Sequence, residues 1–192
     1  MLEGLLVDLV PFGERFMKLE HKWVNGPGVF YWAIGNHWLV THAEMEAWQR
    51  ERADDPQWQA QRVSFGVQTK DGTPIGLFGM RRWLPHHRLA MLTAMIGEPD
   101  YWGGGYGTDA LLLLVDFAFE WLDVHKVWLM TFSLNARVIR QMEKVGFTFE
   151  GRMREATYAE GARHDILAYG LLREEWPGRA ALIEKLGLRA KG

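Results

Sequence analysis

The chain has no cysteine. That excludes disulfides, a thiolate nucleophile and Cys-type zinc sites, and it suits a reducing compartment. It also lacks an excess of either charge: 22 Lys and Arg stand against 24 Asp and Glu, a formal net charge of −2. A nucleic-acid or anionic-membrane partner therefore has no electrostatic support. No apolar run approaches the roughly 18 residues that a transmembrane helix needs, so no membrane span is expected. The opening MLEGLLVDLVPFGER has early acids and no basic n-region, unlike a signal peptide. These absences together predict a cytoplasmic protein. The seven histidines show no metal-ligand spacing, so no metal is expected either. Internal repeats, low-complexity tracts and linkers are missing as well.

What is present fits one ordinary soluble domain over residues 1–192. Its body is expected at about 3–176, with a short C-terminal helix at 179–186. The apolar fraction is 48% and the charged fraction 24%, enough for a real core. Ten tryptophans are many for this length, and most read as core. Trp32, Trp38 and Trp83, in the less regular first half, are candidates to line a substrate cleft.

Gly4 to Pro11 alternates like a first strand. Glu14 to Asn25 has helical spacing and is stopped by Asn25-Gly26-Pro27-Gly28. Thr41-His42-Ala43-Glu44 has capping-box form and opens a helix through Arg52, which Asp54-Asp55-Pro56 ends. Arg62 to Gln68 and Pro74 to Trp83 read as strands around a Lys70-Asp71-Gly72-Thr73 turn, and Leu89 to Gly97 as another. An apolar helix is expected over Ala110 to Trp121, then a β-rich run over Lys126 to Phe132. Asn135 caps a helix over Ala136 to Val145, stopped by Gly146. Phe147 to Met153 and His164 to Leu172 form a last strand pair. The order predicts a mixed α/β (α+β) sheet with helices on its faces.

The most informative stretch is Tyr101-Trp102-Gly103-Gly104-Gly105-Tyr106-Gly107-Thr108-Asp109-Ala110. Glycine lets the backbone take positive φ and approach a ligand closely. A strand, a glycine loop and a helix N-terminus together make a phosphate cradle. It is not a Rossmann unit, because it follows an antiparallel meander and no acid ends the next strand. It is not a P-loop, because no Gly-Lys-Ser/Thr closes it. A bare strand-to-helix connection is the competing reading.

Ile96 to Ala110, IGEPDYWGGGYGTDA, resembles the acetyl-CoA loop of the GNAT N-acetyltransferases, and most of all the branch of the ribosomal-protein alanine acetyltransferases. Asn135 to Phe147, NARVIRQMEKVGF, resembles the family's next block, and Glu150 to Trp176 its terminal strand pair. The resemblance implies a single GNAT fold, mostly antiparallel, with two central strands splayed apart: Leu89 to Gly97 and Lys126 to Phe132. It implies acetyl-CoA as co-substrate, with pantetheine on the open strand edge at Ala94 and Ile96. The pyrophosphate would lie on Trp102, Gly103, Gly104, Gly105, Tyr106, Gly107 and Thr108, with Asn135 and Lys144 completing the cofactor site. Asn135 reads equally as a helix cap alone, and Lys144 and Arg140 as solvated charges. A backbone N–H near Ala94 to Ile96 would hold the oxyanion. A homodimer is a family-level expectation.

Three positions depart from the family pattern. The loop's usual cation is Gly104. The usual Glu base aligns with Met91, and the usual Tyr acid with Met142. No catalytic side chain is therefore assigned. Water relays to Glu98, His86 or His87 are possible substitutes for the base. Chemistry without base or acid favours an amine of low pKa, a peptide N-terminus or a small amine. The alternative is a catalytically weakened CoA-binding sensor or interaction module. Gly105→Val or Gly107→Val is expected to block binding by obstructing backbone approach.

Overall fold

The computed structural model describes residues 1–26, 39–83 and 85–190. Among these, eight strands form one sheet: β1 (Leu2–Glu3), β2 (Val7–Pro11), β3 (Arg62–Thr69), β4 (Pro74–Trp83), β5 (Leu89–Ile96), β6 (Lys126–Phe132), β7 (Thr148–Ala159) and β8 (Ala162–Leu172). Their order is β1-β2-β3-β4-β5-β6-β8-β7. Every neighbouring pair is antiparallel except β5 and β6, which are parallel.

The helices are α1 (Glu14–Asn25), α2 (His42–Asp54), α3 (Pro56–Gln61), α4 (Tyr106–Glu120), α5 (Ala136–Val145) and α6 (Arg179–Leu186). They lie on both faces of the sheet, and alternation along β3 shows how. Phe65 packs edge-on against Phe117 of α4, with ring centroids 5.4 Å apart. Its neighbour Gly66 points the other way, and a Cβ there would stand 2.3 Å from the Phe16 ring of α1. Period-two side-chain direction thus gives each helix its own face. Gly97 repeats the device, since a Cβ on it would meet the fully buried Trp23 at 2.2 Å. Two glycines let two aromatic rings of α1 lie directly on the backbone. No helix among the described residues is long and apolar enough to cross a membrane.

The mixed, mostly antiparallel fold stands as expected, and four boundaries move. The first strand breaks into β1 and β2 around residues 4–6, where the Leu6 and Val7 N–H groups turn to the Asp109 carboxylate, which fills the space a Gly4 Cβ would need. The helix opened at Thr41 ends at Asp54 as expected, and Pro56 then opens a further helix, α3, since proline is at home in a first turn and Asp55 caps the Gln57 N–H at 2.9 Å. The terminal hairpin is longer than expected, reaching Ala159 and Ala162, with register shifts after Phe149 and Met153. Finally, α4 begins at Tyr106, four residues ahead of Ala110, so that Gly107, Thr108 and Asp109 form its first turn.

Asp109 is wholly buried. Its Oδ2 accepts the backbone N–H groups of Leu6 at 2.7 Å and Val7 at 3.2 Å. Its Oδ1 stands 3.4 Å from an Arg179 guanidinium nitrogen at the start of α6. A buried carboxylate is tolerable only when so partnered. Asp109→Ala would leave Arg179 without its charge partner and two buried N–H groups without acceptors. We expect it to lower unfolding stability by about 3 kcal/mol or more, read by urea denaturation. A loss under about 1 kcal/mol, the range of an exposed pair, would contradict this role.

Candidate active site

β5 and β6 pair only at their first three positions, from Leu89 with Lys126 to Met91 with Trp128. Beyond them β6 keeps β8 and β5 keeps β4, so a gap opens between the two parallel strands. The Gly97 N–H donates to Ile75 on the β4 side at 2.8 Å. Antiparallel alternation then turns the polar backbone groups of Met95 toward β4 and those of Ala94 and Ile96 into the gap. One of these is already engaged: the Ile96 carbonyl accepts the Trp102 indole N–H at 2.8 Å.

The gap opens into a cleft of about 740 Å³. Its floor is β5 and the glycine loop, one wall is α5, and the far rim is the end of α6. Ala94, Ile96, Trp102, Gly103, Gly104, Gly105, Gly107, Thr108, Asn135 and Lys144 all line it. Tyr106 does not, because its ring packs edge-on against Tyr101 with centroids 5.0 Å apart and joins the core.

Gly103 and Gly105 take positive φ, at 81° and 89°. Gly105 is the N-cap of α4. A Cβ on it would come within 3.1 Å of Leu6 and 3.3 Å of Leu188, so both chain ends buttress the loop from below. Gly107 is different. A Cβ there would make ordinary contacts, 3.5 Å to Ile96 and 3.8 Å to Gln141, on the cleft side. Asn135 is buried and caps α5 by accepting the Val138 N–H at 3.3 Å, and it lines the cleft as well.

The wall of α5 joins Lys144 and Arg140 to two residues that the sequence reading passed over, Arg137 and Gln141. Arg137, Arg140, Gln141 and Lys144 follow i, i+3, i+4, i+7 spacing and share the cleft face. Gln141 donates to Thr108 Oγ1 at 3.2 Å and so ties the wall to the loop. The Arg137 guanidinium lies 4.2 Å from the Trp102 ring centroid. Burial pulls its pKa below the usual arginine value. This arginine stands where a cation is wanted beside the loop, given that Gly104 carries none. The signal for these residues was their helical spacing after Asn135.

Met91 is half-buried at the last β5–β6 pair, and Met142 is 2% exposed, within the core. Glu98 is committed elsewhere: its carboxylate accepts Lys22 at 2.7 Å and the Trp23 indole at 2.9 Å, fastening α1 to the end of β5. Burial raises its pKa, but the Lys22 and Trp23 hydrogen bonds and the Lys22 charge outweigh that and hold it below the ordinary carboxylate value. His86 and His87 are exposed in the turn before β5, at the strand end away from the loop. Asp165 is paired with Arg152 at 3.4 Å and caps the Glu155 N–H at 2.9 Å. Trp32 and Trp38 lie outside the described residues, as does the side chain of Trp83. Among the described residues, no group of three or more His, Asp or Glu could hold a metal ion.

A splayed parallel pair, a glycine loop capping a helix and a cationic wall define an acyl-CoA transferase cleft. The family model described as "Acetyltransferase (GNAT) domain" matches residues 9–148, and the chain belongs to that family. It is therefore an acyltransferase, with acetyl-CoA as co-substrate. YdaF of Bacillus subtilis (strain 168), by name a provisional ribosomal N-acetyltransferase, is 29% identical over 127 residues, 64% of this chain and 69% of that protein. The spermidine N(1)-acetyltransferase of Escherichia coli (strain K12) is 26% identical over 106 residues, 55% of this chain and 56% of that protein. Among solved structures, the spermidine N-acetyltransferase of Vibrio cholerae in complex with CoA and spermine has a TM-score of 0.78 at 20% identity. That likeness covers 88% of this chain and 97% of the other, and it bears on the fold alone.

The two glycine substitutions should now separate. Gly105→Val is expected to destabilise the fold by about 1–3 kcal/mol, the strain of positive φ in a β-branched residue. Gly107→Val should keep the thermal midpoint and weaken CoA binding at least about tenfold by filling the cleft side of the loop. Unchanged calorimetric affinity in Gly107→Val would show that the ligand does not approach the loop there.

Proposed function

We propose that this chain transfers an acetyl group from acetyl-CoA directly to a primary amine of low pKa, a peptide N-terminus or a small amine. The single observation carrying this is the chemistry at the fork. Where β5 and β6 part, the side chains are Met91 and Trp128. Neither titrates, and the usual acid position, Met142, is in the core.

The proposed cofactor residues are Ala94, Ile96, Trp102 to Gly105, Gly107, Thr108, Asn135 and Lys144, with Tyr106 contributing at most its backbone N–H. The loop N–H groups and the positive end of α4 suit the pyrophosphate. The open edge of β5 suits the pantetheine amides, which would add to the sheet like a strand. The amine nitrogen attacks the thioester carbonyl carbon and forms the C–N bond. The carbonyl oxygen takes the charge, for which the Ala94 N–H, facing the gap, is the proposed donor. Collapse breaks the C–S bond. CoA leaves as thiolate, which a thiol pKa near 8.5 allows without an acid, and the amine proton passes to water.

Amine acetylation is supported by the family and by the spermidine N-acetyltransferases among the relatives. A polycation is the less favoured acceptor: two acids beyond the open ends of β5 and β6, Glu98 and Asp165, are already paired with Lys22 and Arg152.

At pH 7.4 a lysine amine is only about 0.1% neutral and an α-amine roughly a quarter, a difference of about 3 kcal/mol. With acetyl-CoA and an amine panel, kcat/KM is expected to be about a hundredfold or more higher for a peptide α-amine than for an Nα-blocked lysine. For each acceptor the rate should rise with pH and level off near that amine's own pKa, with no separate enzyme group appearing. Equal or faster turnover of the lysine side chain would overturn the low-pKa reading.

A further inference from the structure

The last helix of the chain reaches the cleft, and nothing in the family resemblance asked for it. Arg179 pairs with buried Asp109 and fixes its start. Leu182 is buried, and Ile183, Leu186 and Leu188 pack on the core. Gly187 ends it at φ 63°, with its N–H on the Glu184 carbonyl and the Leu188 N–H on the Ile183 carbonyl. That left-handed turn folds Leu188 back under Gly105. The position of Lys185 is thus set from both ends of the helix, and Lys185 lines the cleft.

Four cations border this one cleft: Arg137, Arg140, Lys144 and Lys185. None of them takes part in an ion pair among the described residues, and no Asp or Glu is in the lining. Cations at the seams between elements are paired instead, as at Lys22–Glu98, Arg52–Glu20 and Lys126–Glu150. Unpaired like charges gathered around a concavity repel one another, so a multiply charged anion is the ligand that suits the group.

Two positions are on offer along the wall. Arg137 sits at the loop end, over Trp102. Lys144 is seven residues further along α5, a rise of about 10 Å, so its side chain starts two turns away from an Arg137 held over the Trp102 ring. Lys185 approaches from the α6 rim.

We infer that Lys185 of the C-terminal helix and Lys144 of α5 form a second phosphate site, separate from the glycine loop, that takes the ribose 3′-phosphate of coenzyme A. This rests on the acetyl-CoA reading and deepens it: the chain would select CoA against its 3′-dephospho form. A 3′-phosphate carries close to two charges near neutral pH, and ammonium groups bind it as point charges.

The test compares CoA with 3′-dephospho-CoA by titration calorimetry on the full chain. The wild type is expected to bind CoA about tenfold tighter or better. Lys185→Ala should weaken CoA about five- to tenfold and leave dephospho-CoA unchanged, and Lys144→Ala should do the same. Both lysines are exposed, so thermal midpoints should stay at the wild-type value. Raising salt should narrow the gap between the two nucleotides. If Lys185→Ala weakens both nucleotides equally, or neither, the second site is wrong. Equal wild-type affinity for both nucleotides also defeats the second site while leaving the cofactor reading intact. A wild type that binds neither nucleotide defeats the cofactor reading and this inference with it.

Discussion

One buried carboxylate organises the molecule. Asp109 belongs to the first turn of α4, yet its oxygens reach the N-terminal turn at Leu6 and Val7 and the C-terminal helix at Arg179. A charge with no exposure cannot leave these partners without a large desolvation cost. The consequence lies on the other side of the backbone. With the turn and the tail held, Leu6 and Leu188 press on Gly105. Gly105 then adopts positive φ and starts the helix early. The loop that faces the cleft is thus shaped by segments that are farthest apart in sequence.

The second constraint is the short parallel pairing of β5 and β6. Parallel neighbours inside an otherwise antiparallel sheet are joined only as far as Met91 and Trp128. Each strand is fully satisfied on its outer side, so the inner edges can part without breaking the sheet. What they leave exposed is backbone hydrogen-bonding capacity at Ala94 and Ile96. A ligand with amides and a thioester carbonyl answers that capacity, and a donor fixed in a sheet needs no reorganisation when charge develops. Catalysis by position fits a fork whose last paired side chains, Met91 and Trp128, do not titrate.

Much of the fold was legible because its signals are local. Glu14–Asn25, Lys126–Phe132, Ala136–Val145 and Arg179–Leu186 match the expected bounds, and the Thr41 capping box is present with both of its hydrogen bonds. Caps, turn glycines and periodicity act over a few residues, and a sequence displays them. The break at Gly4 and the early start of α4 were not legible, since both depend on Asp109, more than a hundred residues from Leu6 and Val7. In the site, the glycine loop could be read directly. Arg137 and Arg140 were visible as a helix stripe, but only docking of α5 on the cleft distinguishes such a stripe from a solvated face. Lys185 carried no signal at all: its place comes from a salt bridge at Arg179 and a left-handed turn at Gly187.

The most direct measurement is a crystal structure with a non-transferable acetyl-CoA analogue. The account predicts pantetheine amides bonded to Ala94 and Ile96, with Trp102 having released the Ile96 carbonyl. It also predicts the pyrophosphate over Gly103 to Thr108 and the acyl carbonyl facing the gap beside Met91. An analogue bound away from the fork, or lying there with β5 and β6 zipped together, would contradict it.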